Sequence, residues 1–106
     1  MKKYSAEWFI AKFEKIPDDK WCVYVRHSEG KSCVLGHCGE TDGMYGSYND
    51  TLESYKLREL FSSSFFKNVP YINDGANAIA VDLGAHPKER VLNALTLIAT
   101  GILKEF

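Results

Sequence analysis

The end of the chain constrains the fold most. His86-Pro87-Lys88-Glu89 opens a helix, because proline suits the first helical position and an acidic residue the first turn. Val91, Leu92, Ala94, Leu95, Leu97, Ile98, Ala99, Ile102 and Leu103 then make it apolar nearly all round. Such a helix lies at the centre of a core or against a partner. Asn93, Thr96, Thr100 and Gly101 interrupt it, so it is too short and too polar to span a bilayer. The rest of the chain must wrap it. With 106 residues, 45% of them hydrophobic and 13% aromatic, the chain has material for one domain over residues 1–106 and a core without cross-links.

Two further helices are predicted. Ser5 caps a first one over about residues 5–16, with Ala6, Phe9, Ile10, Phe13 and Ile16 on one face and Pro17-Asp18-Asp19 as its stop. Asp50 and Glu53 form a capping box for a second, with Leu52, Leu57, Leu60, Phe61 and Phe65 inward and Ser62-Ser63-Ser64 weakening its end. Between them, Trp21–Arg26 reads as a buried strand, and Ser28–Lys31 as a turn. Residues 32–38, "SCVLGHC", suit either a return strand or a short helix capped by Ser32. Residues 39–50, rich in glycine, read as a loop. Val69–Ile72 is expected to be extended, since the residue before a proline avoids helical geometry. Asn73-Asp74-Gly75 is then a turn, and "AIAV" after it a short strand or a single turn. The expected fold is α+β and mostly helical, with three principal helices packed on a small β element.

In order, the chain shows a short N-terminal helix, Trp21 with an extended run, Cys33-Val34-Leu35-Gly36, a middle helix, Asn73-Asp74, and a helix beginning Glu89-Arg90-Val91-Leu92. This order resembles a family of small bacterial and phage proteins of unassigned activity. Its members show a Trp-rich start, a C-x-L-G-A stretch and a W-N-D turn before the last helix. Here Tyr71-Ile72 replaces the aromatic directly before Asn-Asp, and His37 stands where a small residue is usual. The resemblance implies a shared fold and a phage or mobile-element setting, and it assigns no activity.

Charge narrows the function. Thirteen basic against fourteen acidic residues leave no basic excess for a nucleic-acid backbone. Charged residues soon after Met1 predict no secretory leader. Three cysteines form no disulfide framework, which fits a reducing cytoplasm. Gly30-Lys31-Ser32 lacks the earlier glycine of a phosphate loop, since Val25 stands there. Cys22, Cys33, His37 and Cys38 lack the paired spacing of a zinc site, so no metal or cofactor is expected.

The enzyme reading rests on Cys33. At a helix N-terminus its thiol would be acidified, with His37 or His86 as base, Asp82 or Asn73 to orient it, and Asp74 as a further candidate carboxylate. The binding reading rests on Tyr45 and Tyr48, aromatic residues in the glycine-rich loop and suited to protein contact. The favoured expectation is a small cytoplasmic protein that binds a protein partner, or a second copy of itself, without catalysis. The alternative is a small cysteine- or metal-dependent enzyme using Cys33 and His37.

Overall fold

The computed structural model describes residues 1–42, 48–49, 51–75 and 82–101. Five α-helices, one 3-10 turn (Asp18–Lys20) and four two-residue strands occur among them: α1 (Ala6–Glu14), β1 (His27–Ser28), β2 (Lys31–Ser32), α2 (Val34–His37), β3 (Thr41–Asp42), β4 (Tyr48–Asn49), α3 (Leu52–Ser62), α4 (Val69–Asp74) and α5 (Pro87–Thr100). The fold is α+β and mostly helical. α1, α3 and α5 are its long helices, and two antiparallel pairs, β1–β2 and β3–β4, are its β element. No helix among the described residues is long and apolar enough to cross a membrane.

α5 organises the core. His86 caps it, with Nδ1 accepting from the Lys88 amide at 3.2 Å, and Gly101 ends it in the left-handed conformation. It packs most extensively on α1 and α4. Val91, Ala94 and Leu95 are fully enclosed, and they meet Phe9 and Phe13 of α1, Leu57 and Phe61 of α3, and Ile72 of α4 in one cluster. The helix is one-sided, not surrounded: Asn93, Thr96, Ala99 and Thr100 are exposed, and Leu92, Leu97 and Ile98 are half-buried. Ile102 and Leu103 lie outside the described residues, as does the "AIAV" segment.

Four local expectations are corrected. Trp21–Arg26 is not a strand. Only Trp21 makes a bridge, parallel to Ser32, and the chain then bends. Tyr24 takes a left-handed φ of 69° and gives its amide to Asp74 instead of to a ladder. Tertiary pairing thus overrides the β-branched and aromatic composition. The capping box of α3 is Thr51 with Ser54, one residue later than expected: Thr51 Oγ1 accepts from the Ser54 amide, and Ser54 Oγ from the Thr51 amide, both at 3.0 Å. Glu53 is thereby free to pair with Lys12 of α1 at 2.6 Å. Leu52, expected inward, is 60% exposed, because the shift turns it away from the Leu57–Phe61 stripe. Finally, Val69–Asp74 is a helix. Asn68 caps it, and Pro70 sits in the first turn, where a missing N–H costs nothing. Asn73 and Asp74 are its last residues, and Gly75, at φ 75°, ends it.

The ambiguous stretch 32–38 divides. Lys31–Ser32 returns as β2 across a Glu29-Gly30 turn, both residues at positive φ as a two-residue hairpin requires. Val34–His37 is then helix α2, and Cys33, not Ser32, is its cap residue. Gly36 is required here: a Cβ would stand 2.5 Å from the Arg26 carbonyl oxygen.

Candidate functional site

Asn73 creates the site by joining distant segments. The amide of Cys22 donates to the Ser32 carbonyl at 3.0 Å, beside the parallel Trp21–Ser32 bridge. A continued ladder would next run from the Val34 amide to the Cys22 carbonyl. The Asn73 carboxamide lies between them instead. Its Oδ1 accepts from Val34 N at 3.0 Å, and its Nδ2 donates to Cys22 O at 2.9 Å. The side chain is buried, and every polar atom it carries is used. The two segments splay around it, and α4 is locked to both.

Arg90 holds the same helix from the other side. Its guanidinium donates from Nη2 to the Asn73 carbonyl at 2.7 Å and from Nε to the Ile72 carbonyl at 3.1 Å. A cation from α5 therefore satisfies the final carbonyls of α4, where the helix dipole is negative.

Splaying leaves a cleft of about 60 Å3, lined by Tyr24, Val25, Arg26, Cys33, Leu35, Pro70, Asn73 and Asp74. Asp74 Oδ1 accepts from the Tyr24 amide at 2.9 Å and from Asn73 Nδ2 at 3.0 Å. The Tyr24 amide bond fixes a left-handed residue, a state that costs a non-glycine roughly 1–2 kcal/mol. The strained loop carries its side chains outward: Tyr24 is 79% exposed and Val25 48%. Tyr71, 53% exposed, stands one turn before Asp74 on α4.

On the far side of this loop is a buried ionic group. Glu40 is fully enclosed, and its carboxylate accepts from Arg26 Nε at 3.0 Å and from Arg58 Nη2 at 3.1 Å. Its backbone carbonyl is 2.8 Å from His27 Nε2, so that nitrogen carries the hydrogen. Consecutive residues Arg26 and His27 thus grip Glu40 at both ends, and they fix the root of the Tyr24 loop.

The candidates from sequence fall in different places. Cys33 and Asp74 line the same cleft. Cys33 is buried, and that burial pushes its thiol up, against the opposing pull of the Gly36 and Leu35 amides. The neutral thiol is therefore favoured, which is unsuited to attack. His37 faces elsewhere: Nε2 donates to the Lys20 carbonyl at 3.0 Å, and the ring lies 4.6 Å from the Trp21 indole. Burial lowers its pKa. Cys38 is buried too, and burial pushes its thiol up. Among the described residues no three His, Cys, Asp or Glu side chains could hold a metal ion. Tyr45 lies outside the described residues, and of Tyr48 only its place in β4 is described.

Comparison of the chain with family models, with curated proteins and with solved structures finds no match. Function is thus argued from the site. The residues that sequence reasoning passed over are Tyr24, Val25 and Tyr71. Their signal was hidden: Tyr24 and Val25 sit in a run of strand-forming types, and Tyr71 in a segment read as extended.

Proposed function

We propose that the protein acts by binding another protein through the face of Tyr24, Val25 and Tyr71, without catalysing a reaction. The observation that carries this is the loop at Tyr24. Tyr24 and Val25 stand in solvent at a cleft, on backbone held by Asp74 and the Glu40 ion group, and exposed Tyr71 lies one turn before Asp74. Exposed aromatics on a rigid support suit recognition, because little freedom is lost on contact. Strain at a non-glycine residue persists only where its surroundings over-determine it, and such sites gather where a protein works. Tyrosine adds a large contact area with a polar tip. The sequence resemblance implies a phage or mobile-element setting, and the cysteine pattern fits the cytoplasm.

The competing reading, thiol chemistry at Cys33 with His37, has less support, since the thiol is held neutral and the imidazole is engaged by Lys20. Photo-crosslinking tests the binding reading. With p-benzoylphenylalanine at Tyr24 or Tyr71, one discrete cross-linked protein is expected in the cells that make this chain. The same group at exposed Glu59 should give none. Equal products from all three positions, or none at Tyr24, would refute it. Rapid alkylation of Cys33 at neutral pH, lost in His37→Ala, would favour the enzyme.

A further inference from the structure

We propose that the cleft below Tyr24 seats a lysine side chain of the protein partner, with its ammonium bound by Asp74. This deepens the binding reading above and rests on it.

The charges in the cleft are unequal in standing. Arg26 has its counter-ion in the enclosed carboxylate of Glu40. Asp74 has none among the described residues. Its two hydrogen bonds come from neutral donors, the Tyr24 amide and Asn73 Nδ2, and both end on Oδ1. Oδ2 accepts no hydrogen bond among the described residues, and Asp74 is part of the cleft lining. Arg90 does not supply the missing cation, because its guanidinium is spent on the carbonyls of Ile72, Asn73 and Gly84.

Size and walls select the cation. A space of about 60 Å3 holds a few water molecules. That admits the compact ammonium end of lysine, whereas the planar fork of arginine is best met by both carboxylate oxygens, and Asp74 Oδ1 already accepts two bonds. Val25, Leu35 and Pro70 give apolar walls, matched to the methylene stem that lysine buries while its head stays polar. Tyr24 lines the cleft and Tyr71 is exposed one turn before Asp74, and aromatic rings are of the kind that attract cations. The strained backbone of Tyr24 has a purpose in this arrangement: the Asp74 oxygen that holds it is the neighbour of the one that would meet the lysine.

The test is a titration of the 15N-labelled full chain with Nα-acetyl-lysine N-methylamide, with its Nε-acetylated form and with the arginine analogue. Saturable shifts are expected at the amides of Tyr24 and Val25 and at the Asn73 side-chain amide with lysine. They should be absent with the acetylated form and severalfold weaker with arginine. Asp74→Asn keeps an oxygen for the Tyr24 amide and removes the charge, so its spectrum should stay folded and its lysine response should vanish. Equal response to acetylated lysine, shifts scattered over the surface, or no shifts at all would each overturn the proposal. The comparison of lysine with its acetylated form uses the unaltered protein and so stands even if the variant misfolds. Shifts that grow with protein concentration alone would assign the face to a second copy and also overturn it. If crosslinking from Tyr24 succeeds while the lysine probe fails, the binding face survives and the lysine seat falls.

Discussion

Asn73 is the residue on which most of the site turns. Asn73→Ala would strand the Cys22 carbonyl and the Val34 amide in the interior. The expected loss is on the order of 3 kcal/mol, read by urea denaturation, since each buried unpaired group costs about 1–3 kcal/mol. Asn73→Asp keeps the acceptor for Val34 but turns an oxygen toward Cys22, so it should also destabilise. In the sequence, Asn-Asp-Gly advertised a bend. Nothing local could reveal that its carboxamide reaches residues 22 and 34. Titration acts at this scale too. Burial lowers the His37 pKa, so the folded state binds its proton less well than the unfolded state. That stability is complete above the ordinary histidine range and is lost as pH falls through the lowered value. Burial raises Cys33 and Cys38, so their contribution is complete below the ordinary thiol range and is lost as pH rises. Stability measured against pH should therefore fall at both ends, and His37→Gln should flatten the acid side.

Among the elements, α4 shows how caps decide structure. Val-Pro-Tyr-Ile reads as extended if the rule for residues before proline is applied alone. Asn68 reverses that outcome by capping a helix whose second residue is the proline. Asn68→Ala should cost about 1 kcal/mol. Gly75→Ala should cost about 1–2 kcal/mol, because the residue is left-handed, and its new Cβ would stand 3.0 Å from the Arg90 guanidinium carbon. Both are measurable as shifts in the denaturation midpoint. The long helices were legible because their apolar period is regular: Phe9 and Phe13 in α1, Leu57 and Phe61 in α3, Val91 and Leu95 in α5. Their boundaries were less so. Ser54, a polar residue without an evident role in the sequence, moved the α3 cap from Asp50 to Thr51.

For the molecule as a whole, the buried ion group is the element least visible in the sequence. Glu40 follows a glycine in a polar stretch, and nothing marks it as enclosed. Glu40→Gln would remove the enclosed carboxylate that Arg26 and Arg58 share. A loss on the order of 3 kcal/mol is expected in thermal or urea unfolding, as for other buried pairs broken on one side. The Tyr24 resonances should broaden with it, since Arg26 anchors the loop. Fold class could be read from helix periodicity alone, whereas the recognition face arises from contacts between segments about fifty positions apart, and local patterns carry no trace of those.

The wedge made by Asn73 also orders events in time. A nascent chain that has left the ribosome through residue 68 already contains Trp21, Cys22, Ser32 and Val34, but not the carboxamide that fits between them. Until α4 emerges, the wedge that separates Cys22 from Val34 is missing. The splayed arrangement of residues 22 and 34 is therefore complete only once α4 has taken its place between them.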